Sequence, residues 1–266
     1  MRTVVIGASS GLGRCIAVGL ARGGARVAMM GRRKERLDAA VSEAGGDAFP
    51  VACDATDEAT CREAMAAAAA EMGGIDGLVY TPAIGPLARI EDLDAEAWRS
   101  SFETNVVGAS LATAAALEHL RESSGTAVYL TSVSASLTPP WPGLGAYAVT
   151  KAALDKLVDA WRGEHPEIGF TRLVVGECAG GPGDSMTEFA SGWDLELAAE
   201  MVPKWVERHY MTGALMDVSQ LVAVVDQVLR ADPSVCMGTV TVAPRLVTPE
   251  VFPTAENVEA TTEEKK

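Results

Sequence analysis

The chain has 266 residues, 48% of them hydrophobic and 5% aromatic, with a formal net charge of −14 at pH 7. That apolar content excludes a disordered chain. The acidic surplus argues against nucleic acid or an anionic membrane as partner, since both attract basic surfaces.

Taken in chain order, the first expected strand is Thr3–Ile6, reached without the apolar core of a secretory signal. It runs into Gly7-Ala8-Ser9-Ser10-Gly11-Leu12-Gly13 and then a helix over residues 12–23. A glycine turn there lets backbone approach a pyrophosphate, and the helix N-terminus offers free N–H groups to it. The spacing is GxxxGxG, and glycine also serves such turns for steric reasons alone. The second strand, Arg26–Met30, ends in Gly31-Arg32-Arg33. An NAD site wants a carboxylate there for the ribose diol; two arginines suit a 2′-phosphate instead, with Arg32 the first choice. A third strand, Ala48–Val51, leads to Cys53-Asp54, where Asp54 either accepts from adenine or caps the next helix.

A fourth strand, Gly77–Tyr80, precedes Thr81-Pro82-Ala83 and a long helix over 95–121. That helix carries an uncharged run from Val106 to Leu117, too short for the roughly 20 residues that span a bilayer. The fifth strand, Thr126–Thr131, meets Ser132, and after a proline-rich loop a helix over 146–163 carries Tyr147 and Lys151 on one face. An ammonium beside a phenol favours the phenolate and lowers a pKa otherwise near 10, giving a group for proton exchange. A sixth strand, Phe170–Val175, is followed by Gly176-Glu177-Cys178-Ala179. The segment over 180–211 contains Met186, Phe189, Trp193, Met201, Trp205 and Met211. Half of these read as core positions of amphipathic helices, and the rest, with Trp141, as an apolar pocket. Helices over 34–44, 57–72, 196–211 and 217–230 and a strand at Thr239–Val242 complete the pattern.

Continuous apolar strands alternating with helices predict an α/β fold, a Rossmann-type doubly wound parallel sheet of about seven strands. A single domain over 1–245 is expected, with a substrate lid at about 180–211 and a flexible tail over 246–266. Cys15, Cys53, Cys61, Cys178 and Cys236 show no zinc spacing, and His119, His165 and His209 no metal spacing, so reduced thiols and no metal are expected. A cytoplasmic protein without membrane contact follows.

The glycine turn, Cys53-Asp54, Asn105-Val106-Val107-Gly108, Ser132 and Tyr147-xxx-Lys151 together resemble the short-chain dehydrogenase/reductase family, from Thr3 to Val242. The resemblance implies Tyr147 as acid/base and Lys151 as the residue that lowers its pKa and binds the nicotinamide ribose. It implies Ser132 as the group orienting the carbonyl or alcohol, with Ser134 second, and Asn105 as holder of a water in the proton relay. It implies NADP(H) held by Gly7, Ser9, Ser10, Gly11, Leu12, Gly13, Arg32, Arg33, Asp54, Ala55, Ala83, Tyr147 and Lys151. The partner is then a small carbonyl or alcohol, and the assembly a homodimer or homotetramer joined through the long helix and the Tyr147 helix.

Three departures from the family stand out. Tyr80-Thr81-Pro82-Ala83 replaces Asn-Asn-Ala-Gly, so hydrogen bonds lost at Pro82 must be supplied otherwise. Ile6 replaces a threonine, and Gly176–Ala179 lacks the usual Pro-Gly. The Tyr80–Ala83 and Gly176–Ala179 segments motivate one alternative, a cofactor-binding regulatory or scaffold protein with little turnover. A sugar-nucleotide epimerase is disfavoured, because no sizeable substrate domain follows the sheet.

Overall fold

The strands carry apolar residues on both faces because helices cover both. In the computed structural model, which describes residues 1–245, β1 (Arg2–Ile6), β2 (Arg26–Gly31), β3 (Ala48–Ala52), β4 (Gly77–Tyr80), β5 (Thr126–Ser132), β6 (Gly169–Val175) and β7 (Thr239–Val242) form one parallel sheet. Their order is β3-β2-β1-β4-β5-β6-β7. The doubly wound fold is as expected; the tail expected over 246–266 lies outside the described residues.

Alternate strand residues point to opposite faces and divide the core in two. Val4, Ile6, Leu78, Tyr80 and Tyr129 pack under α3 (Glu58–Met72), α5 (Gly108–Ser123) and α7 (Gly145–Glu164). Val5, Met29, Val79, Val128 and Leu130 pack under α1 (Gly11–Arg22), α2 (Lys34–Ala44) and α9 (Val218–Leu229). A third cluster over the sheet's carboxyl edge joins Leu87, Trp141 and Leu144 to Met201 and Trp205 of α8 (Leu195–Glu207). At one border of the sheet, β3 places Pro50 opposite Met29, with no amide hydrogen to offer outward. No helix among the described residues is long and apolar enough to cross a membrane.

The single helix expected over 95–121 is three pieces: α4 (Ala95–Phe102), a π turn over Glu103–Val107, and α5. The cause lies beneath it. Tyr80, fully buried, donates its hydroxyl to Thr104 O at 2.6 Å. Gly108 leaves room for that phenol, since a Cβ there would lie 2.5 Å from its oxygen. The widened turn swings Asn105 inward, in line with the frequent use of π turns at functional sites. The lid helix expected over 196–211 stops at Glu207, and His209 turns the chain with φ 56°. A short α6 (Val133–Ser136) opens the proline-rich loop.

Tyr80 therefore positions the site as well as filling the core. Tyr80→Phe should lower stability by roughly 1–2 kcal/mol, the cost of one buried bond and an under-satisfied carbonyl. Urea denaturation measures this; an unchanged midpoint would mean the Thr104 carbonyl needs no such partner.

Candidate active site

The turn after β1 leaves no room for a side chain at its first or last glycine. Gly7 has φ +86°, and a Cβ there would lie 2.4 Å from Thr81 Oγ1; one at Gly13 would lie 2.4 Å from Gly7 O. Gly7 N and Ala8 N both donate to Met30 O, at 2.9 and 3.0 Å. Ser10, the residue before α1, is extended and does not cap the helix with its side chain. The first-turn amides of α1 thus remain for an anion, and the glycine cradle fits the pyrophosphate of a dinucleotide.

Around the turn, Arg33 rather than Arg32 makes the contacts. Its Nη2 donates to Ser9 Oγ at 3.0 Å and Ser10 Oγ at 2.7 Å, and its Nη1 to Glu188 at 2.8 Å. Arg32 is exposed, its charge acting on Asp54. Two successive residues leaving a strand point to opposite sides, which separates neighbours that read alike in sequence. Asp54 does not cap α3: it accepts from Thr56 N and Thr56 Oγ1, at 3.0 and 2.8 Å, while Asp57 caps the helix through Thr60 N. Ala55 is buried, and Leu12 and Ala83 are partly buried.

The bonds displaced at Pro82 are supplied by its neighbours. Thr81 donates both N and Oγ1 to Ile6 O, at 3.2 and 2.7 Å, tying the end of β4 to β1. Asn105 clamps the next loop: its Oδ1 accepts from Ile84 N at 2.9 Å, and its Nδ2 donates to Ile84 O and Thr150 Oγ1, each at 2.8 Å. The side chain that the resemblance assigned to a water is here committed to the protein. The Gly176–Ala179 segment has its own anchor, Glu177, which accepts from Thr212 N and from Thr212 Oγ1 at 3.0 Å.

Tyr147, Lys151 and Ser132 meet over the ends of β5 and α7. Lys151 is buried; its Nζ donates to Leu130 O at 2.7 Å and lies 5.8 Å from the Tyr147 ring centroid. Ser132 Oγ sits 2.9 Å from Ser134 Oγ and accepts from Ser134 N, so Ser134 holds Ser132. Burial pushes the Tyr147 phenol up to about 12, with Ser132 acting the other way. Burial also pulls Lys151 down to about 8, against the attraction of Asp155. Desolvation outweighs the lysine–phenol attraction expected from sequence, because the ammonium is bonded to a carbonyl and not to the phenol.

The segment between β6 and α8 covers this group with aromatic rings. Phe189 packs edge-on against Tyr147 with centroids 4.7 Å apart, and Trp193 follows at 5.4 Å. Trp193 Nε1 donates to Gly85 O at 2.9 Å and Trp205 Nε1 to Pro142 O at 2.8 Å, so the rings are fixed by bonds as well as contact. Met201 and Trp205 are core residues and Met186 is exposed. Thr81, Tyr80, Glu177 and Glu188 were not among the expected site residues. An odd Tyr-Thr before a proline was a usable signal for the first two, whereas the glutamates act on partners distant in sequence.

The family model for short chain dehydrogenase matches residues 2–189. A short chain dehydrogenase of Pseudocercospora fijiensis is 34% identical over 75% of this chain and 64% of its own length. The chain thus spans just under two thirds of that relative. Gluconate 5-dehydrogenase of Gluconobacter oxydans is 32% identical over 83% of this chain and 84% of its own. Among solved structures, an alcohol dehydrogenase from Thermococcus sibiricus complexed with 5-hydroxy-NADP superposes with TM-score 0.76. It is 24% identical, with 93% of this chain and 97% of that one covered, and shows the shared fold.

Burying Lys151 has a thermodynamic signature. Its pKa falls from 10.5 to about 8 on folding, so between those pH values the unfolded chain holds a proton that the folded one lacks. Stability from this group therefore rises with pH across that window, and the full penalty is present below about 8. Lys151→Met should stabilise the protein at pH 7 by on the order of 1–3 kcal/mol. The gain should shrink toward pH 10.5, which unfolding curves at several pH values test. A constant difference would mean that the ammonium is not desolvated.

Proposed function

The chain belongs to the short chain dehydrogenase family, and we propose that it is an NADP(H)-dependent oxidoreductase interconverting a carbonyl and an alcohol. The substrate is small to medium and partly apolar. The observation that carries this reading is the convergence of Tyr147, Lys151 and Ser132 at the carboxyl edge of the sheet, beneath an aromatic lid. A nicotinamide cofactor, when bound, supplies or accepts the hydride.

The chain's own residues do the rest. With its pKa near 12, the Tyr147 phenol is protonated at neutral pH, the form that donates a proton to a carbonyl oxygen during reduction. Ser132, held by Ser134, orients the substrate oxygen. Lys151 binds the ribose and offsets charge on the tyrosine during oxidation. Phe189, Trp193 and Trp141 exclude water and favour an apolar substrate body. The same reading makes the protein a cytoplasmic homodimer or homotetramer. Val107 at the α5 boundary and Val149 on α7, 44% and 42% exposed, give the expected interface an apolar surface.

Assay of a carbonyl and alcohol panel with NADPH and NADP tests the activity. Tyr147→Phe keeps the ring and deletes the acid, so turnover should fall by roughly a hundredfold or more while NADPH binding survives. Near-normal turnover in that variant would remove Tyr147 as the acid, whereas none in the unmodified protein would favour the regulator over the enzyme.

Cofactor choice rests on Gly31, which offers no carboxylate, and on Arg33 held against Ser9 and Ser10. Charge-assisted bonds to a phosphate contribute roughly 1.5–3 kcal/mol each, so NADPH should bind about tenfold tighter than NADH, or better. A Cβ at Gly31 would meet Ser9 at an ordinary 3.5 Å, so Gly31→Asp fits and brings a carboxylate to that position. That variant should reverse the preference in titrations of both cofactors. Equal affinities in the unmodified chain would remove the phosphate from the arginines' role.

A further inference from the structure

Glu188 reaches out of the lid to a cluster of positive charge beside the glycine turn. Its Oε2 accepts from Arg33 Nη1 at 2.8 Å and from Ser10 Oγ at 3.2 Å, and its Oε1 accepts from Arg36 Nη1. Those arginines stand 155 and 152 residues earlier in the chain, so only the fold brings them together. The segment bearing Glu188 touches the site at two further points. Thr187 Cα would lie 3.4 Å from a Cβ on Gly11, and Phe189 packs on Tyr147. Its place is fixed from below by Thr187 N, which donates to Ala179 O at 2.9 Å.

We propose that Glu188 is a specificity-determining residue, an internal anion that competes with the cofactor's 2′-phosphate for Arg33, Arg36 and Ser10. The inference rests on the NADP(H) reading above. A carboxylate bridging two guanidiniums and a hydroxyl uses the same charge-assisted geometry that a phosphate oxygen would use. The Arg36 hydrogen bond, foremost, and Arg33 hold its carboxyl down at about 2, so it stays an anion throughout the working range of pH. A ligand carrying the phosphate must displace this pair, whereas one with a free ribose diol need not. Glu188 thus reduces discrimination in favour of NADPH, and its removal should release it.

The test is calorimetric titration of NADPH, NADH, adenosine 2′,5′-bisphosphate and AMP into the unmodified protein, Glu188→Gln and Glu188→Ala. The two short ligands lack the nicotinamide half, so they report on the anion without engaging Phe189. Thermal melting of each variant confirms folding, which an exposed side chain leaves intact. In both variants the two 2′-phosphorylated ligands should bind roughly fivefold tighter or more, with NADH and AMP changed less than about twofold. Equal tightening of NADPH and NADH overturns the proposal, because Glu188 is then a steric block. Unchanged affinities in a protein that still prefers NADPH overturn it while leaving the cofactor reading intact. If NADPH and NADH bind equally in the unmodified protein and in both variants alike, the cofactor reading itself fails and the competition with it.

Discussion

One point of contact fixes the geometry of the carboxyl edge: β1, the turn into α1 and the end of β4 approach too closely for a side chain at Gly7 or Gly13. Gly13 lies on Gly7, and Thr81 Oγ1 fills the space that a Cβ at either glycine would need. The carbonyl of Ile6 takes both donors of Thr81, so β1 and β4 end at the same height. Strand order reverses here, with β2 and β3 on one side of β1 and β4 to β7 on the other. Doubly wound sheets bind ligands in the crevice opened by such a reversal. The position of the glycine turn relative to Tyr147 is therefore set by the packing of two strands, not by the loops that surround them.

From that edge the site is assembled by polar groups that trade stability for placement. Asn105 spends all three of its bonds on the loop at Ile84 and on Thr150 of α7. Lys151 is drawn into the protein with a single carbonyl for partner. Buried charge of this kind rarely improves a fold, and its retention points to chemistry. Ser132 is steadied by Ser134, and the Tyr147 phenol stays neutral.

The sheet was legible in sequence because its signal is redundant: apolar runs of four to seven residues recur between helices, and each run became a strand within a residue or two. The residues of the glycine turn and of the Tyr147 helix were legible because their chemistry is local, spaced within one turn of backbone. The π turn was not, since its cause is Tyr80, more than twenty residues earlier and hidden in the core. Arg33 could not be separated from Arg32, because direction out of a strand depends on where the strand ends. Glu188 and Glu177 were invisible for a different reason. A single carboxylate in a polar loop carries no period, and its meaning comes only from the partner that folding delivers.

Pro50 in β3 bears on whether copies of this chain can join through their sheets. An open sheet presents unpaired amides and carbonyls at each border, and these invite another strand. Here one border strand contains a residue with no hydrogen to donate, and the other, β7, is only four residues long and is followed at once by Ala243 and Pro244. Among the described residues, neither border offers a long, regular ladder for continuation from molecule to molecule. Were copies of this chain to associate, side-chain surfaces such as the helix faces around Val107 and Val149 would carry the contact. Those surfaces can be tuned residue by residue without the hazard of fibre growth.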